Sequence, residues 1–264
     1  MPGTLGRWGL RVATAGVIAF LHIPILVIFL YAFNADRGQS WPIRELSTRW
    51  FGEAFSNPSL IDAVTLSIQA AAGATVIALV LGSLAAFAVH RFRFFGREGV
   101  SFLLVLPLAL PGIVTGMALN ATINAGGIGF GLLTIIVGHA TFCVVVVYNN
   151  AIARLRRMPR SIEEASADLG ADPMQTFRHI TLPILRGALL AGGLLAFALS
   201  FDEVIVTTFT AGTQATLPIW ILDHLRQANQ RPIVNVVAVL IILATAVPIY
   251  VSQRLAGEDS ASVL

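Results

Sequence analysis

The chain of 264 residues contains no lysine, and all 17 of its basic residues are arginine. A phosphate-binding loop of the Walker type needs a Lys after its Gly-rich turn, so ATP hydrolysis by that mechanism is excluded. Schiff-base catalysis through a Lys amine is excluded with it. Charge of either sign is scarce, at 12% of residues, and Cys143 is the one cysteine. A lone thiol forms no intrachain disulfide and no thiolate metal cluster; inside an apolar run it reads as a small packing residue. H-E-x-x-H, G-x-S-x-G and C-x-x-C arrangements are absent as well, so no hydrolytic or redox centre is signalled.

What is present is apolar: 56% of residues, with a mean hydropathy of +0.80. That lies outside the range of soluble globular domains. Six runs, residues 12–33, 62–89, 100–120, 132–153, 187–206 and 233–253, are long enough to cross a hydrocarbon core of about 30 Å as helices. Helices are required because lipid offers backbone N–H and C=O groups no partner, and the runs lack the short alternation of barrel strands. The expectation is an all-α polytopic membrane protein with six transmembrane helices, forming a single domain over residues 1–264. The first run follows Arg7 and Arg11 as a secretory signal would, but it exceeds signal length and lacks a small-residue cleavage site, so it reads as a retained helix.

Arginine placement sets the orientation. With both termini inside, 12 arginines fall on cytoplasmic segments, and Arg37, Arg44, Arg49, Arg226 and Arg231 fall outside, which favours N-in, C-in. The pI near 9.7 then follows from topology and contact with anionic lipid, without nucleic acid as a partner. Residues 34–61 form an external loop whose Trp41, Trp50 and Phe51 suit the membrane interface. Residues 207–231 form a second external loop, and its stretch from Leu217 to Leu222 is too short to span, as an interfacial helix would be.

The inside segment 154–186 is the long polar interruption. Ser161 followed by Glu164 has capping-box spacing for a helix start, and Gly170 permits a left-handed residue at its end. Asp172 before Pro173, with Gln175 following, restarts a helix. Pro183 is expected to interrupt it before the fifth span. On the first helix Ile162, Ala165 and Leu169 share one side, while Glu164 and Asp168 share another. A plain connector would carry such caps too; the whole string is more specific.

Glu164, Ala165, Ser166, Gly170, Ile180, Leu182 and Pro183 reproduce the spacing E-A-A-x-x-x-G-x9-I-x-L-P. The string resembles the signature of permease subunits of bacterial ABC importers, with Ser166 in place of the second Ala. Further blocks, Leu106 through Val114, Phe201-Asp202-Glu203-Val204, and Phe209 through Gly212 with Leu217-Pro218, make the chain similar to the spermidine/putrescine type. The resemblance implies a type I ABC importer permease (MetI-like) fold in the bacterial inner membrane. It implies a separate dimer of P-loop ATPase subunits that bind ATP and Mg, a second permease subunit, and a periplasmic solute-binding protein. The chain itself would then hold no cofactor, no metal and no catalytic residue. In such permeases this loop couples to the ATPase, so Glu163, Glu164, Ala165, Ser166, Asp168, Leu169 and Gly170 are the expected coupling residues. Relatives of the broad type import ferric iron, opines and other small solutes, so cargo is less closely specified than subunit class.

Asp202 lies about 24 Å along a helix that starts at Arg186, in the outer half of the bilayer. Carboxylates at such depth face a polar pathway or a partner charge. Asp202 and Glu203 are therefore candidates for attracting a polyammonium cargo. The alternative is that they form the outer end of the helix and pair with Arg226 or Arg231. His139 and polar residues such as Asn120 and Asn124 either line a cavity or join helices by hydrogen bonds. Pro107 and Pro111 break the backbone ladder of the third span, as a gate or as a fixed bend. An ion-coupled secondary transporter is the competing class; it predicts inverted repeats, which the sequence does not display.

Overall fold

The computed structural model describes residues 4–227 and 229–245. Among these residues the secondary structure is helical, with one isolated antiparallel bridge between Asn34 and Leu46 and no strand. The chain divides into two compact units, one up to Leu60 together with the residues from Ile221 onward, the other from Ile61 to Trp220.

In the first unit, α1 (Thr4–Ala32) is long and apolar enough to span, and its most apolar window holds no buried residue. Side chains such as Phe20 and Leu21 stand exposed, a surface suited to hydrocarbon rather than water. The loop that follows is built around α2 (Arg49–Phe55). Here the interfacial expectation fails for Trp50, which is fully buried, while Trp41 is exposed. The Trp50 indole N–H donates to the Asn34 carbonyl at 2.8 Å, and the Arg49 and Arg37 guanidinium groups lie 4.0 and 5.2 Å from the ring centre. A buried indole needs an acceptor, and its π-face attracts cations; both needs are met inside the loop. Hydrogen bonds from the Ser40 hydroxyl and the Gly38 N–H hold the Asp36 carboxyl below its ordinary range. The last described helix, α12, covers Arg231–Thr245; the remainder of the expected sixth span, residues 246–253, lies outside the described residues.

The second unit is organised by α3 (Pro58–Arg91), α6 (Leu132–Arg157) and α9 (Leu182–Phe201). Small residues let these helices approach. A Cβ on Gly82 would lie 2.9 Å from the Val144 carbonyl oxygen, and one on Gly192 would lie 3.3 Å from the Val147 Cα. One apolar cluster joins Ala74, Ala78, Cys143, Val147 and Ala196; another joins Ala86, Val89, Tyr148, Leu155 and Leu185. Cys143 is buried in the first of these, its thiol donating to the Ala196 carbonyl at 3.3 Å. That is the packing role expected of it.

The third expected span is not one helix. It divides into α4 (Arg97–Ala109) and α5 (Gly112–Ala125), bent by 102°. Pro107 is accommodated inside α4, whereas the break falls at Leu110, which is extended, and Pro111, at φ −56° and ψ 129°. A residue before proline is pushed out of the helical region, and Pro111 has no N–H to continue the ladder. The fifth expected span also differs: the helix ends at Phe201 instead of Val206, and α10 (Ile205–Thr210) starts after a three-residue break. α10 packs on α5 and α6. Asn120 Nδ2 donates to the Phe209 carbonyl at 2.7 Å, and the Thr134 hydroxyl to the Thr210 carbonyl at 2.7 Å. α11 (Leu217–Leu225) covers the stretch read as a short external helix.

Candidate functional site

The segment between α6 and α9 contains α7 (Arg160–Asp168) and α8 (Pro173–Thr176). Its start corrects the sequence reading. α7 begins at Arg160 after Pro159, with no side-chain cap, so Ser161 lies inside the helix and forms no capping box with Glu164. Pro159, extended at φ −64° and ψ 132°, stops α6 and sets the entry to α7 without such a cap. Gly170 adopts φ +84°, the left-handed residue expected at the helix end. At α8 the reciprocal cap is present: Asp172 Oδ1 accepts from the Met174 and Gln175 N–H groups at 2.8 Å each, and Gln175 Oε1 accepts from the Asp172 N–H at 2.9 Å.

Pro183 does not interrupt the helix, contrary to expectation. α8 runs through a π-helical turn, Phe177–Thr181, directly into α9. Proline lacks an N–H and crowds the carbonyl four residues back, and a widened turn accommodates both defects without a break.

α7 separates its residues by side. Glu163 and Ser166 turn inward. Glu163 Oε2 accepts from Arg91 Nη1 at 2.6 Å, and Oε1 accepts from the Thr181 hydroxyl at 3.2 Å. Ser166, 6% exposed, shares a hydrogen bond of 2.9 Å with Thr176. Glu164, Ala165, Asp168, Leu169 and Gly170 face solvent, as does Ile162. Leu169 is 89% exposed and Met174 is 70% exposed. Ile162, Ala165, Leu169 and Ile180 line an open, mostly apolar recess of about 490 Å³. A leucine this exposed beside a left-handed glycine offers a partner both a knob and a close backbone approach.

The expected carboxylates lie at the break after α9. Asp202 is the residue that ends α9 and is exposed. Glu203 is partly buried, and its Oε1 accepts from the Val206 N–H at 2.9 Å, capping the start of α10. Beneath the break, His139 is buried on α6 with Nδ1 2.7 Å from the Ser200 hydroxyl and Nε2 2.8 Å from the Thr207 hydroxyl. Thr207 in turn donates to the Glu203 carbonyl at 2.7 Å. His139 therefore joins the two sides of the break. Of the two roles the sequence left open for it, lining a cavity or joining helices, the structure shows the hydrogen-bonded one.

The sequence profile of the binding-protein-dependent transport system inner membrane component matches residues 78–257, more than half of the chain. The chain belongs to that family. This inner membrane component is 37% identical over 259 residues to the putrescine transport system permease protein PotI of Escherichia coli (strain K12), covering 94% of the chain and 90% of the relative. It is 33% identical to the spermidine/putrescine transport system permease protein PotC of Haemophilus influenzae, over 97% of the chain and 100% of that relative. Its fold resembles that of a bacterial ABC transporter involved in the import of the acidic polysaccharide alginate, with a TM-score of 0.75 and 16% identity over 96% of this chain and 98% of the other. The membership and the long apolar helices make it a multi-pass inner-membrane permease of the ABC importer type.

Proposed function

We propose that the chain acts as one permease domain that moves polyamines, spermidine or putrescine, across the bacterial inner membrane by alternating access. Energy comes from a separate pair of P-loop ATPase subunits that hold ATP and Mg, and a second permease subunit completes the path. A periplasmic binding protein delivers the solute. The carrying observation for coupling is the outward apolar face of α7, Ile162, Ala165 and Leu169, next to Gly170 at φ +84°. An apolar face projecting into the cytoplasm is covered most economically by a partner. The arginine asymmetry supports that side as cytoplasmic. Identity over nearly the whole length with putrescine and spermidine permeases supports the cargo, and the exposed Asp202 suits a cation.

One reconstitution with two variant arms tests both parts. Leu169→Asp is expected to reach the membrane, to lose the ATPase subunits on purification, and to abolish ATP-driven putrescine uptake. Retained subunits with normal uptake reject the docking role. Asp202→Asn with Glu203→Gln is expected to keep the ATPase subunits bound but to weaken putrescine uptake; wild-type uptake removes both carboxylates from the path.

A further inference from the structure

We propose that α3 is a rod that carries displacement of α7 to the external side of the permease, with the Arg91–Glu163 ion pair as its cytoplasmic linkage. Both are positioning residues, and the inference rests on the reading of α7 as the ATPase-docking helix.

Glu163 is held at both oxygens, by Arg91 from the last turn of α3 and by Thr181 from the π turn that leads into α9. One turn before Arg91, the Phe87 ring meets Phe177 edge to face at 5.2 Å. The Ser166 hydrogen bond to Thr176 ties the middle of α7 to the last residue of α8, directly before the π turn. Four contacts thus bind α7, the end of α8, the π turn and the end of α3 into one body, while Leu169 remains outward.

From Arg91, α3 runs back to Ser67 without a proline, a distance of about 36 Å at helical rise. At that far end the Ser67 hydroxyl accepts from the Leu217 N–H at 2.8 Å in a buried contact. One turn inward, Ala70 packs with Ile135 and Ala211. Between its ends α3 is closely fitted to α6 at Gly73 and Gly82, where an added Cβ would fall within 3.0 Å of Ile136, Val144, Val147 and Tyr148. A long uninterrupted helix anchored at one end to the docking element and at the other to the first residue of α11 transmits translation, because close packing resists bending.

The ion pair is partly exposed, at 55% for Arg91 and 23% for Glu163. Exposed pairs contribute little to folding, so variants fold and their effect is read in transport. In proteoliposomes holding the complete transporter, Arg91→Glu and Glu163→Arg are each expected to lower putrescine uptake per ATP hydrolysed roughly threefold while the ATPase subunits stay bound. The charge-swapped double variant is expected to recover at least half of the wild-type ratio. Single variants at the wild-type ratio, or a double no better than the singles, overturn the linkage. Where a reversal fails to reach the membrane, Glu163→Gln replaces it, with the same expectation and the same overturning result.

The rod itself is tested by combining Glu163→Gln with Ser67→Ala. Sites this far apart ordinarily act additively. A double variant no worse than the poorer single is expected, and additive losses overturn the rod. If Leu169→Asp loses the ATPase subunits while the α3 variants keep wild-type ratios, only the rod fails. If Leu169→Asp transports normally, the docking reading fails instead.

Discussion

Both ring nitrogens of His139 are engaged by hydroxyls, and the network specifies its tautomer. Thr207 gives its one proton to the Glu203 carbonyl, so it accepts from His139 Nε2–H, which leaves Nδ1 to accept from Ser200. His139→Ala would leave both hydroxyls buried with one partner fewer and is expected to cost about 1–3 kcal/mol, measured as denaturant unfolding of the detergent-solubilised protein; unchanged stability would show that the α9–α10 break holds without it. The sequence left His139 either lining a cavity or joining helices by hydrogen bonds. It could not indicate Ser200 and Thr207, which are 61 and 68 residues away. Glu203 shows the same limit. Its acidity was legible, but its use as a backbone cap at Val206 depends on where α9 stops.

At the scale of elements, helix contacts rather than propensities set stability, since lipid is as apolar as the helices it surrounds. Gly82→Ala is expected to destabilise by about 1–3 kcal/mol, because its Cβ would meet backbone of α6 that cannot step aside. Gly187→Ala, with nothing within 4 Å, is expected to be neutral or slightly stabilising by its helix propensity. Thermal unfolding of the two variants side by side checks the contrast; equal melting would mean that α3 and α6 are less closely fitted than their backbones place them. The breaks were only partly legible. Pro107, Pro111 and Pro183 are among the prolines that lie in spans or at their edges. They give three outcomes: a continuing helix, a bend of 102° and a π turn. Each proline imposes the same missing N–H and the same crowding. Which relief the chain takes depends on neighbours that arrive from distant sequence, such as Phe209 holding α5 through Asn120.

For the whole molecule, the missing lysine and the exposed α7 face make the same demand for a partner. The purified chain is expected to hydrolyse no ATP. Proteoliposomes are expected to accumulate putrescine only when ATPase subunits, a second permease and binding protein are all supplied, as followed by radiolabelled uptake. Accumulation driven by a proton gradient alone would restore the secondary-transporter class. Apolar run length, arginine placement and the Glu164 to Pro183 string determined the membrane class, the expected orientation and the family, because these depend on counts and spacings along the chain. Spacing also determined the angle between residues on α7, since each step turns the helix by about 100°. It left open which side faces in. Tertiary structure decided that Glu163 and Ser166 point toward Arg91, Thr181 and Thr176 while Leu169 points away, because only the position of α3 and the π turn gives those polar groups partners and leaves the leucine without one.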